Sequence, residues 1–276
     1  MKWMARRAAS MTRRARVVTV LVTAVACGTV ALAPAKVGAA AFLHRLGAQA
    51  PRQLPALARS GQAFGGVAAV GALFTMSAGG LGKHFCTASV VHSAHGDLAV
   101  TAAHCMAGSQ GTIAFVPGYA NGKEPYGVWQ VTAVYIDHAW QASQSSDDDV
   151  AFLRLSSESD IVPIEDVTGA ELLGSDWSEP ALVQVIGYPD AADQPVSCVN
   201  WTKTFSSTQL EFDCGGYTVG TSGAPFLADV SAASGQGTVI GVIGGHEQGG
   251  GTPEVSYAAT FEAAAAALYQ SAEAGG

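Results

Sequence analysis

The sequence predicts an all-β fold, a barrel or a sandwich, and its punctuation is what predicts it. From Val67 onward, apolar runs of four to nine residues recur, each bounded by Gly, Pro, Asn or Asp. Such runs fit half-buried strands joined by tight turns. They fall at 70–75, 85–91, 98–101, 112–116, 128–136 and 150–155, and after Pro163 at 182–187, 199–205, 209–212, 224–228, 238–243 and 255–260. Asn121-Gly122 marks a turn between two of them. Helical intervals are few and no internal repeat is visible, which argues for a β-barrel or sandwich architecture. Residues 261–272, rich in Ala, Leu and Glu, predict a closing helix.

Charge is placed unevenly. The first 60 residues hold ten of the 14 Lys and Arg and no acids, so the remainder carries four basic against 22 acidic residues, a formal −18. A body that acidic repels phosphate backbones and excludes nucleic acid as a partner. Residues 1–39 read as an export signal: a basic start, an apolar run broken at Cys27-Gly28-Thr29, and the small residues Val37-Gly38-Ala39 before Ala40. The apolar run is shorter than the roughly 20 residues that a spanning helix needs, so no stable membrane insertion is expected. A signal anchor and a lipoprotein box at 24–27 remain the minor alternatives to secretion. Residues 40–65 lack a strand pattern and read as a propeptide or flexible arm.

Cys27 leaves with the signal, and Cys86, Cys105, Cys198 and Cys214 remain as an even set for an oxidising compartment. Four cysteines allow three pairings. Cys86 and Cys105 flank two runs that pair as a hairpin, and Cys198 and Cys214 lie symmetrically about Ser206, so the expected disulfides are 86–105 and 198–214.

Three motifs carry the chemistry. Gly220-Thr221-Ser222-Gly223-Ala224-Pro225-Phe226 can bare a serine hydroxyl in a tight turn, because glycine tolerates dihedrals that strain other residues. Thr101-Ala102-Ala103-His104-Cys105 follows an apolar run, and Asp149 opens the run Val150-Ala151-Phe152-Leu153-Arg154-Leu155. His, Asp and Ser in that order are the base, the orienting acid and the nucleophile of acyl transfer. Together the motifs resemble those of the chymotrypsin-type (trypsin-like) serine peptidases, and the chain is most similar to the secreted bacterial branch. The resemblance implies two packed six-stranded antiparallel β-barrels with the active site in their seam. His104 and Asp149 would come from the first barrel (about 66–160), Ser222 from the second (about 161–260), with the closing helix completing a peptidase domain at 66–276.

On that resemblance, His104 is the general base, Asp149 holds its imidazole, and Ser222 attacks, with the N–H groups of Gly220 and Ser222 as oxyanion donors. Asp147 and Asp148 compete with Asp149, which is preferred because it abuts the strand. Thr221 departs from the animal enzymes, where an aspartate pairs with a newly freed ammonium. The oxyanion turn is therefore expected to be preformed, or a propeptide to act only as a folding aid or plug, with chains beginning near Ala40 and near Gly65 comparably active. Gly216, six residues before Ser222, stands where trypsin has an aspartate, so strict cleavage after Arg or Lys is not expected. Gly244, Gly245 and His246 fall where the family lines its substrate cleft. His246 either meets an acidic substrate side chain, as a histidine does in glutamyl endopeptidases, or is an exposed loop residue. His84, His92 and His95 match no zinc motif and read as structural or surface residues.

The expected partner is a protein or peptide substrate, the expected state a monomer, and neither cofactor nor metal is called for. A binding or scaffold protein that kept the barrels and lost catalysis is the alternative. An α/β-hydrolase is excluded, because Ala224 spoils its G-x-S-x-G elbow and that fold presents Ser before Asp before His.

Overall fold

The computed structural model describes residues 57–107, 111–157, 162–175, 177 and 180–275. The expected export signal and residues 40–56 of the expected arm lie outside the described residues. In chain order the elements are β1 (Gln62–Ala63), β2 (Val70–Ser77), β3 (Gly80–Val91), β4 (Leu98–Thr101), β5 (Thr112–Pro117), β6 (Trp129–Ile136), α1 (His138–Ser143) and β7 (Ala151–Ser156). A linker with α2 (Ile164–Thr168) and β8 (Leu172–Leu173) follows. Then come β9 (Leu182–Gly187), β10 (Val196–Thr204), β11 (Gln209–Asp213), β12 (Pro225–Ala228), β13 (Thr238–Ile243), β14 (Val255–Thr260) and α3 (Ala263–Ala274).

Strands β2 to β7 close a barrel in the order β2-β3-β4-β7-β6-β5. Leu73, Phe115 and Leu153 fill it, each fully buried, while Phe152 on the outer face packs on Tyr269 of α3. Side chains of that size contribute roughly 1.5–3 kcal/mol apiece on leaving water. The second half closes too. The antiparallel cycle β9-β10-β11-β14-β13-β12 returns to β9, because β9 pairs with both β10 and β12. Phe212, Phe226, Leu210 and Val185 are buried inside it. All twelve expected strands are present, so the double-barrel fold expected from the resemblance is the one observed.

Both expected disulfides form. Cys86–Cys105 ties β3 to the turn after β4, and Cys198–Cys214 ties β10 to the end of β11. Closing loops of 19 and 16 residues, each contributes roughly 3 kcal/mol in the chain-entropy account. The closing helix docks on the first barrel. Ala265 and Ala272 of α3 are buried, the Tyr269 hydroxyl donates to the His92 carbonyl at 2.7 Å, and the Arg154 guanidinium of β7 donates to the Ala272 carbonyl. One part of the arm differs from expectation. β1 pairs with β10, Gln62 opposite Ser197 and Ala63 opposite Val196, although its residues show no strand alternation.

The linker holds a buried acid. Glu171 joins the two halves: its backbone N–H donates to Val90 and its carbonyl accepts from His92, while Oε2 accepts from Gly237 N at 2.5 Å. Oε1 is buried without a partner among the described residues. Burial pushes this carboxyl up to about 7, partly opposed by the Gly237 hydrogen bond. The folded carboxyl thus keeps its proton to higher pH than the unfolded one, so stability falls as pH rises from about 4.5 to about 7. Glu171→Gln is expected to unfold with a free energy higher than wild type by on the order of 3 kcal/mol at pH 8, with no gain at pH 4. Urea melts at the two pH values check it.

Candidate active site

The pairing of β4 with β7 brings the first two residues together. Thr101 lies opposite Ala151 in an antiparallel ladder. His104, three residues beyond Thr101, and Asp149, two before Ala151, therefore leave the same end of the pair. Ala102 and Ala103 are fully buried, so the chain turns tightly over the core and a short 3-10 turn, Ala103–Cys105, lifts His104 out of it. The disulfide at Cys105 fixes that turn to β3.

Asp149 is almost wholly buried and makes three hydrogen bonds. Oδ2 accepts from His104 Nδ1 at 2.7 Å and from Gly245 N at 3.0 Å, and Oδ1 accepts from His104 N at 2.9 Å. A carboxylate so placed fixes the tautomer with the proton on Nδ1 and leaves Nε2 free to accept. Asp147 is engaged elsewhere, accepting from the Thr208 hydroxyl and from Gln209 Nε2, each at 2.8 Å.

Ser222 sits in the turn before β12, and that turn is seated on the first barrel. The Ser222 carbonyl accepts from Thr87 N at 2.8 Å, and the Thr87 hydroxyl donates to the Gly220 carbonyl at 3.0 Å while accepting from Tyr188 N at 2.9 Å. Gly220 and Gly223 have φ of +95° and +80°, which side chains resist. A Cβ on Gly223 would also stand 2.1 Å from Thr101 Oγ1. Among the described residues the N–H groups of Gly220 and Ser222 donate to no backbone acceptor, whereas that of Thr221 is taken by Thr218. The Thr221 side chain is buried and bonded locally, its hydroxyl donating to the Thr218 carbonyl at 2.7 Å. The turn is thus formed without a carboxylate at position 221.

His104 and Ser222 line one open cleft of about 970 Å³, whose wall runs from Tyr217 to Ser222 and whose other side includes Gly249–Gly251 and Pro253. Among the described residues the Ser222 hydroxyl makes no side-chain hydrogen bond; such contacts are often long without substrate and tighten when it binds.

The remaining cleft candidates are placed differently. Gly244 and Gly245 are buried under Asp149 rather than on the cleft lining: a Cβ on Gly244 would lie 2.9 Å from Asp149 Oδ2, and one on Gly245 2.8 Å from Gln209 Oε1. Gly244 makes room for the acid, and Gly245 for Gln209 and the Ser146 carbonyl. His246 is outside the lining as well, its ring packed on Phe205 and Tyr257 with centroids 4.7 and 4.8 Å away. Gly216 stands just beyond the lining, its N–H donated to Pro253. The residues that reasoning from sequence missed are Thr87, Glu247 and Gln248. Glu247 and Gln248 line the cleft with left-handed φ of 49° and 55°, and no local motif marks either. Cys86 and Cys105 lie near His104 but are joined in the disulfide, which leaves no thiolate to hold a metal.

Two antiparallel barrels meeting at a His–Asp pair and a serine turn define the chymotrypsin-like architecture. Residues 67–266 match the family model described as Trypsin, and the chain belongs to that family. Membership supports serine protease function. Among solved structures, the chain is similar to the protease Anisep from Arthrobacter nicotinovorans, with TM-score 0.66 and 23% identity over 78% of this chain and 99% of that one. It is similar to a thermostable serine protease, AL20, from an extremophilic microorganism, with TM-score 0.64 and 24% identity over 76% and 98%. A Glu endopeptidase matches with TM-score 0.59 and 16% identity over 80% and 99%. At these identities the likeness shows the fold. No curated protein matches the sequence.

Gly244→Ala is expected to push the Asp149 carboxylate away from His104. The low-field proton resonance of the His104 Nδ1–H should move upfield, and stability should drop by about 1–3 kcal/mol, as overpacked sites do.

Proposed function

We propose that the protein is a secreted serine endopeptidase acting through His104, Asp149 and Ser222. One observation carries the reading: an imidazole held by a buried carboxylate at 2.7 Å shares a cleft with a serine on a glycine-bounded turn. Nε2 of His104 takes the Ser222 proton as Oγ attacks the substrate carbonyl, and the oxyanion that forms is met by the N–H groups of Gly220 and Ser222. The imidazolium, stabilised by Asp149, then protonates the leaving amine. Water repeats the sequence on the acyl-enzyme and releases Ser222.

The domain reading goes with this proposal: an export signal at 1–39, a segment at 40–65 before the peptidase domain, and a monomer that works outside the cell on protein or peptide. Two disulfides in the described residues suit an oxidising compartment. No helix among the described residues is long and apolar enough to cross a membrane. Selection of acidic residues by His246 finds no support, since its ring packs on Phe205 and Tyr257. At the position of trypsin's aspartate stands Gly216, and the nearby wall is Tyr217, Thr218 and Val219.

A fluorophosphonate probe is expected to label the protein at Ser222, and Ser222→Ala to abolish both labelling and peptide hydrolysis. A folded, unlabelled wild type would instead favour a binding or scaffold role for the double barrel. Asp149→Asn should lower kcat on the order of 10⁴-fold, through the wrong imidazole tautomer. Cleavage profiling on a peptide library should show little preference for Arg or Lys at the cleaved position.

A further inference from the structure

Family enzymes of the animal type order their cleft with a buried ammonium–carboxylate pair, and this chain has Thr221 where the carboxylate would be. Something else must hold the segment that leads into the cleft. That segment, Cys214–Tyr217, runs from the end of β11 to the first residue of the cleft wall. One side of it is held by Pro253, whose carbonyl accepts from Gly216 N at 2.9 Å and Tyr217 N at 3.3 Å. The other side is held by residues 59–61. Arg59 O accepts from Gly215 N at 2.9 Å, and Gly61 N donates to Gly215 O at 2.7 Å, so Ser60 bridges Gly215 in parallel.

The chain on either side keeps residues 59–61 in place. After them, β1 pairs with β10, and Phe64 N donates to Pro195 O at 3.1 Å. Before them, the Ala58 carbonyl lies 3.5 and 3.7 Å from the sulfurs of Cys198 and Cys214. Close approach is built in. A Cβ on Gly61 would stand 3.0 Å from Val196 Cβ, and Gly216 holds a φ of +97°, which side chains resist.

We propose that Arg59–Gly61 form a main-chain clamp that positions the cleft wall at Tyr217–Val219 for substrate, in place of a freed ammonium. The inference rests on the peptidase reading and extends it to how the site is made competent. The active enzyme keeps residues 59–63, any maturation cut falls before Arg59, and the charge of the new amino terminus is irrelevant. A chain beginning near Gly65 lacks the clamp and is expected to be less active than one beginning near Ala40, which reverses the equivalence expected from the sequence.

The test uses point variants of the full chain. Gly61→Ala keeps the N–H and adds the Cβ against Val196; Gly61→Pro adds similar bulk and removes the donor to Gly215. One hydrogen bond is worth roughly 1 kcal/mol net, which converts to about fivefold. Relative to Gly61→Ala, Gly61→Pro is expected to raise KM for a peptide substrate about fivefold or more with a smaller change in kcat. Fluorophosphonate labelling of Ser222, which needs no filled cleft, should change less than threefold. The Gly215 amide should exchange with deuterium faster, while exchange at Thr87 stays as in wild type. Acetylating the mature amino terminus should leave kcat/KM unchanged. Equal kinetics and equal Gly215 exchange in the two variants would overturn the clamp. So would a parallel fall in labelling and Thr87 protection, which marks general unfolding, or a tenfold loss on acetylation. Exchange at Gly215 is read without substrate. A wild type that is neither labelled nor hydrolytic would therefore sink the peptidase reading, while the clamp is still judged by exchange.

Discussion

The site depends on one hydroxyl in the seam between the barrels. Thr87 of β3 is fully buried, and a buried hydroxyl without partners costs a few kcal/mol. Its needs are met only across the seam: it donates to Gly220 O and accepts from Tyr188 N, while its own N–H is taken by Ser222 O. Thr101 extends the arrangement, its hydroxyl donating to Thr87 O at 2.7 Å in the space that Gly223 leaves open. The Ser222 turn, a second-barrel feature, is thereby seated on the barrel that carries His104. Slip the barrels by one residue and the three bonds that Thr87 makes across the seam are lost together.

A second constraint is electrostatic. A carboxyl group as buried as Asp149 needs donors to replace the water it gave up. Gly245 N, His104 N and His104 Nδ1 are those donors, and two of them come from the residue the acid must orient. Packing a donor loop that close leaves no room for a side chain at 244, where it would meet Asp149, while one at 245 would meet Gln209 and Ser146. The same glycines looked like an open cleft wall in the sequence. Glycine records that something comes near the backbone; it does not say whether that is a substrate or the protein's own carboxylate.

How much was legible follows from the range of each interaction. Strands read well because alternation and turn residues are local, and the two disulfides read well because each closes a hairpin between near neighbours in the chain. The three candidate residues stood out in the sequence because short flanking patterns, Ala-Ala before His104 and an apolar run after Asp149, mark their backbone settings. β1 was not, since Gln62 and Ala63 show no alternation and are a strand only because β10 offers them an edge. His246 was ambiguous for the same reason: whether a loop histidine faces substrate or stacks on Phe205 and Tyr257 depends on residues 41 and 11 positions away.

By itself, then, the chain's order determined what could be read within about twenty residues: twelve strands, two cross-links, and the kinds of side chain offered for acyl transfer. Only the tertiary structure decided which groups share a cleft, which glycines shelter a carboxylate, and that residues 59–61 brace Gly215. The physical reason is that hydrogen bonding and desolvation act over a few ångströms in space, and closing two barrels makes neighbours of groups more than a hundred residues apart.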